Sequence, residues 1–227
     1  MEKPKENFEN SLLQSNLDNV KKFFNKKQEN KMDLTNTPWV TLAVGTELQR
    51  LLKDRTIMAG MKVLEVGCSI GVESCFLAKH GMNVTGVDFI PKTIEAAKKY
   101  TKFVGADVNF VCCDFLKFEE KGMNGTFDFI FDQGCFHHIP IADRKKYVEK
   151  VASLLKREGI FFLRSFSNRM IPSPTNDGPI RLSSDDIYNN FYPYFITEHL
   201  YLFNNLPLPN PTSYKPQIFW SYLARKR

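Results

Sequence analysis

Val63-Leu64-Glu65-Val66-Gly67-Cys68-Ser69-Ile70-Gly71, continued to Ala78, is the stretch that decides the fold. It reads as a short apolar strand (61–66), a tight glycine turn and the start of a helix (71–79) ended by Gly81. Gly67 allows a backbone angle or a close approach that a Cβ would block. Gly71 lets the helix begin close to a ligand, with its unpaired N–H groups facing it. Glu65 falls near the carboxyl end of the strand, where open α/β sheets bind their ligands.

Outward from this turn the chain alternates strand and helix. Strands are expected at 83–87, 108–113, 127–132 and 160–165. Helices are expected at 91–100, opened by Pro91, and at 143–155. Such repeats imply a mainly parallel sheet with helices on both faces. The ending differs. Ser183 or Ser184 caps a short helix through Phe191, and two strands follow at 195–203 and 217–224. The proline-rich loop between them is too short for a crossover helix, so they form an antiparallel hairpin. The expected fold is α/β: a Rossmann-like, mainly parallel seven-stranded sheet closed by a C-terminal antiparallel hairpin. Residues 1–55 read as a helical extension or lid and residues 56–227 as the main domain. Within the extension, Phe8 to Phe24 has a loose helical period, Thr37-Pro38-Trp39 interrupts it, and a helix runs from about Val40 to Asp54.

Four successive strands each deliver a carboxylate to one edge of the sheet: Glu65, Asp88, Asp114 and Asp132. An acid at the end of the second strand can take both hydroxyls of a ribose. A dinucleotide fingerprint starting at Gly67 would need glycines at 69 and 72, which are Ser69 and Val72. That spacing disfavours a dehydrogenase.

Residues 60 to 165 resemble the class I S-adenosylmethionine-dependent methyltransferases. The resemblance implies that S-adenosylmethionine is the cofactor. Glu65 and Gly67 would lie against its methionine part, with Cys68 and Gly71 also among the cofactor-binding residues. Asp88 would hold the ribose, Phe89 would cover one adenine face, and Asp114 with Phe115 would meet the adenine amino group. The family usually has a third glycine where this chain has Ser69, which can follow the same path if its backbone angles are negative. Asp132-Gln133-Gly134-Cys135-Phe136-His137-His138-Ile139-Pro140 lacks the Asn/Asp-Pro-Pro-aromatic loop of enzymes that methylate planar nitrogens. Together with Thr37-Pro38-Trp39, the helix from Asp143-Arg144 to Tyr147 and Gly178-Pro179, it is similar to the thiopurine, thiol and halide methyltransferases and their tellurite-resistance relatives. That resemblance implies a small-molecule acceptor, with Trp39 closing over the cofactor.

A thiolate or halide acceptor needs no base. A hydroxyl or ammonium does, and Asp132, His137 or His138 could take the proton. Asp132 could instead orient the cofactor's ammonium or a loop backbone. Arg169 and Arg181, on the loop after the fifth strand, could pair a substrate carboxylate. Two other readings stay open: an O- or N-methyltransferase of a small metabolite, and a methyltransferase fold that binds without catalysing.

The remaining composition bounds partners and compartment. Hydrophobic residues make up 43% of the 227, enough for a sizeable core. No apolar run reaches the roughly 18–20 residues of a membrane span, and the polar N-terminus does not read as a secretory signal. Five cysteines with no CxxC argue against a disulfide framework or structural zinc. A Cys135/His137/His138 metal site lacks a fourth ligand, so no metal is expected. The net charge of +6 is spread over short lysine runs with no aromatic-interleaved stripe, which disfavours nucleic acid. The expectation is a cytoplasmic monomer or homodimer.

Overall fold

The computed structural model describes residues 44–119, 122–170, 179–205 and 217–227. Trp39, the Phe8–Phe24 segment, Thr37-Pro38 and Gly178 lie outside them. The described elements are α1 (Thr46–Lys53), β1 (Lys62–Val66), α2 (Val72–Lys79), β2 (Asn83–Asp88), α3 (Pro91–Val104) and β3 (Val108–Cys112). There follow β4 (Phe127–Gln133), α4 (Ile141–Leu154), β5 (Leu155–Phe166), α5 (Ser184–Phe191), β6 (Phe195–Asn205) and β7 (Gln217–Lys226). They form one seven-stranded sheet in the order β3-β2-β1-β4-β5-β7-β6. The first five strands are parallel, while β7 runs antiparallel to both β5 and β6. This is the expected Rossmann-like architecture with its C-terminal hairpin.

Period-two alternation sorts the strand residues onto two faces. Leu64, Val66, Ile130, Phe161 and Leu163 pack with Tyr147, Val148 and Val151 of α4 and with Phe191 of α5. Val63, Phe129, Phe131, Ile160 and Phe162 pack with Leu48 and Leu51 of α1 and with Leu77 of α2. Both faces are apolar because both are covered, as parallel sheets require.

Several boundaries differ from the sequence reading. The helix expected from Val40 begins, within the described residues, at Thr46, because Gly45 is extended with φ −57° and ψ 135°. Helix α3 continues past Tyr100 to Val104 and stops at Gly105, whose left-handed backbone ends it. Strand β5 starts at Leu155 rather than Ile160, directly from α4. Leu155 pairs with Phe127, and a kink at Glu158, with φ +61°, restores the register at Ile160. Of the two serines expected to cap α5, Ser183 does so, in a capping box: it accepts from the Asp186 backbone at 3.0 Å and Asp186 accepts from the Ser183 backbone at 2.7 Å.

Candidate active site

The turn after β1 is a chain of backbone hydrogen bonds. Gly67 and Cys68 both donate to the Val87 carbonyl, at 2.8 and 3.0 Å, which ties the turn to β2. Gly71 donates to the Cys68 carbonyl at 2.8 Å. Gly67 and Gly71 both have φ +74°. A Cβ on Gly71 would fall 2.4 Å from Cζ of Phe110 on β3, so this glycine admits an aromatic ring as well as a left-handed angle. Ser69 does not have the negative angle expected of it. Its φ is +49°, the same left-handed region, which is why glycine is usual there.

Asp88 holds this turn from the end of β2. One carboxylate oxygen accepts from the Ser69 N–H at 2.9 Å and the other from the Ile90 N–H at 2.9 Å. Burial raises its pKa, against the backbone donors that favour the charged form. Glu65 points to the α2 side, is only 4% exposed and accepts from the Ser74 hydroxyl. Burial, then the neighbouring Glu73, hold its carboxyl well above the usual range. Cys68 lies buried beside Gly86, in the cluster with Phe110. Phe89 is half-buried after β2. Asp114 caps the short 3-10 turn 115–117 by accepting from the Leu116 N–H at 3.0 Å, and Phe115 is buried with its ring centroid 5.2 Å from that of Tyr147. The edges of β1 to β4 therefore bring together the residues expected around a nucleoside.

Asp132, at 0% exposure, is consumed by its own loop. Its carboxylate accepts from the N–H groups of Gly134, Cys135 and Phe136 at 2.9, 2.6 and 2.8 Å, and from the Tyr147 hydroxyl at 2.5 Å. Burial pushes its pKa up to about 6, against the opposing pull of Tyr147 and the three amides. The loop lies on the glycine turn, since a Cβ at Gly67 would fall 3.0 Å from Cβ of Cys135. Burial raises the Cys135 thiol well above its usual range, with Asp132 adding to the effect. It is a neutral thiol.

His137 is buried, and its Nδ1 accepts from the Phe166 N–H at 3.2 Å. Burial holds its pKa well below the usual value. The ring is therefore neutral, and the hydrogen-bond network assigns its proton to Nε2. His138 is half-buried and meets the His137 ring edge-on at 4.5 Å. Arg169 is exposed and Arg181 half-buried. Among the described residues, no three His, Cys, Asp or Glu side chains are placed to hold a metal. No helix among them is long and apolar enough to cross a membrane.

Residues 63–159 match the family described as "Methyltransferase domain". An uncharacterized methyltransferase of Schizosaccharomyces pombe is 33% identical over 105 residues, which span 46% of this chain and 71% of that protein. The chain belongs to the class I S-adenosylmethionine-dependent methyltransferase family. Among solved structures, a Burkholderia thailandensis 1,6-didemethyltoxoflavin-N1-methyltransferase with bound S-adenosylhomocysteine superimposes with a TM-score of 0.67. It is 17% identical, with 100% of this chain and 93% of that one covered. TehB from Haemophilus influenzae superimposes at 0.66 with 16% identity, over 83% of this chain and 64% of that one. These two likenesses show the shared fold.

Residues that the sequence reading passed over also stand near this site. Ser74 holds Glu65, and Gln133 and Arg164 stand on the α1/α2 face beside Glu73. A signal existed for Arg164. It interrupts the apolar run Ile160 to Leu163 at a position where period two points it inward.

Proposed function

We propose that this methyltransferase binds S-adenosylmethionine on the β1–β4 edge and transfers its methyl group to a small-molecule acceptor by in-line displacement. The observation that carries the reading is the clamp of Asp88 on Ser69, which sets an acid from β2 against the glycine turn of β1. The Ser69 hydroxyl is buried with no partner among the described residues, an unmet group of the kind that a bound cofactor answers. Gly67, Cys68 and Gly71 shape the turn around the methionine end, with Glu65 bracing it through Ser74. Asp88 and Phe89 take the ribose and one adenine face, and Asp114 and Phe115 close the adenine edge. The cofactor supplies an activated methyl on a sulfonium. The protein's work is to hold the nucleophile roughly 3 Å from that carbon and to keep water out.

The acceptor is a soft nucleophile such as a thiol. Asp132 spends its oxygens on four donors, and Nδ1 of His137 accepts from Phe166. We assign Asp132 to positioning the loop, and His137 to presenting a donor rather than a base. For an acceptor that must lose a proton, the imidazole of His138, edge-on to His137, would be the base. All five cysteines are free thiols, in keeping with a reducing compartment such as the cytoplasm.

Calorimetry with S-adenosylhomocysteine tests the cofactor site. Binding in the micromolar range is expected, weakened at least about tenfold in Asp88→Ala and less in Asp88→Asn, which keeps one accepting oxygen. No heat at high micromolar concentration would sink the reading. A turnover screen of thiols, halides, amines, phenols and carboxylic acids then identifies the nucleophile.

A further inference from the structure

Two buried polar side chains of α4 grip the loop that follows β4. Arg144 and Tyr147 stand three residues apart on one face of the helix, at 3% and 0% exposure. Tyr147 takes the entrance of the loop. Its hydroxyl donates to Asp132 at 2.5 Å, and the same carboxylate gathers the N–H groups of Gly134, Cys135 and Phe136. Arg144 takes the exit, where its Nε donates to the Ile139 carbonyl at 3.3 Å. Phe136 lies between the two. The Arg144 guanidinium is 5.5 Å over its ring, and the Tyr147 ring centroid is 5.1 Å away.

Each residue also reaches outward. The Tyr147 ring lies 5.2 Å from that of Phe115, at the proposed adenine edge. Nη1 of Arg144 lies 3.9 Å from Asp186, the capping-box acid of α5. Packing alone does not call for these groups. Nη2 of Arg144 is buried with no partner among the described residues, and a methionine would fill that volume without burying a charge. The gripped segment has little hold of its own, because its regular structure is the single 3-10 turn Phe136–His138. That turn sits on the glycine turn of β1 through Cys135 and Gly67.

We propose that Arg144 and Tyr147 are positioning residues for methyl transfer: they clamp the loop 134–139 over the glycine turn and so fix where the acceptor meets the methyl carbon. This rests on the proposed site at the β1–β4 edge and assigns two further residues to it. Neither acts on the reacting atoms itself. A misplacement of about 1 Å costs on the order of a hundredfold in rate, so the clamp acts on kcat rather than on cofactor affinity.

The test compares wild type with Tyr147→Phe, which keeps the ring contacts, and Arg144→Met, which keeps the volume. Hydrogen exchange is followed at the amides of Gly134 to Ile139, with those of Val63 to Val66 in β1 as the control. In both variants the loop amides are expected to exchange about tenfold faster or more, since a hydrogen bond to the loop is lost, while β1 keeps its wild-type rate. The Kd for S-adenosylhomocysteine and the KM for S-adenosylmethionine stay within about twofold, and kcat with thiophenol as acceptor falls about tenfold or more. Wild-type exchange in the loop of both variants overturns the inference. So does a rise in β1 exchange to match the loop, which marks global loosening, or a loosened loop with wild-type kcat, which marks a clasp that serves stability alone. If wild type binds S-adenosylhomocysteine but does not turn over thiophenol, the soft-nucleophile reading fails and the exchange rates decide the clamp. Failure of wild type to bind S-adenosylhomocysteine overturns the cofactor site instead.

Discussion

Ser69 occupies a left-handed position with φ +49° in a turn flanked by two glycines at +74°. Holding an L-residue there costs about 1–2 kcal/mol, whereas a glycine gives back roughly 0.5–1 kcal/mol through the freer unfolded chain. Ser69→Gly is therefore expected to stabilise the protein by up to about 1 kcal/mol in a denaturant titration. Nothing in the sequence announces this angle, because a serine is at ease in the negative region too. Asp132 carries a second prediction at this scale. Its pKa rises from 3.8 in the unfolded chain to about 6 in the fold. The native state thus binds the proton more tightly, and the stabilisation from that proton is full below pH 3.8 and lost as pH rises through 6. Asp132→Asn cannot titrate. The stability advantage of wild type over this variant should grow on acidification from pH 7 to 4, by at most about 1.4 kcal/mol per pH unit. A gap that shrinks toward acid would contradict this account of the buried carboxylate.

At the scale of elements, α1 shows how a short helix is held by its surroundings. Eight residues are too few for a stable isolated helix. Leu48 and Leu51 are fully buried against the sheet, and Glu47 reaches across to β6 and β7. It accepts from Ser221 at 3.0 Å, from Arg50 at 3.3 Å and from the Tyr201 hydroxyl. Glu47→Ala strands those hydroxyls, so a loss of about 2 kcal/mol is expected in thermal or urea unfolding, with Glu47→Gln milder. Element identities were legible in the sequence wherever a turn residue marked them, as Gly81 and Ser183 do. The start of β5 was not, since Leu155 to Gly159 carries three charged residues and only its pairing with Phe127 makes it strand. Strand β7 likewise runs on to Lys226 through polar residues whose backbone pairs with β6.

For the whole molecule, the five parallel strands place the β1–β4 acids along one edge, and a ligand that fits that edge couples to global stability. S-adenosylhomocysteine at about a hundred times its Kd should add about 2.7 kcal/mol. In a domain of this size that is a rise in Tm of roughly 5–10 °C. A scan with and without ligand checks it, and an unchanged Tm at saturation would contradict binding to the native state. By itself the sequence determined the architecture and the ring of carboxylates, because hydrophobic period, glycine turns and strand-end acids are local features that one chain segment can encode. The tertiary structure alone decided the angle of Ser69, the engagement of Asp132 with its loop and Tyr147, the neutral state of His137, and the meeting of Gln133 with Arg164. Each of these depends on which groups crowd around a side chain from distant segments. Burial and hydrogen bonding between such segments do not follow from spacing along the chain.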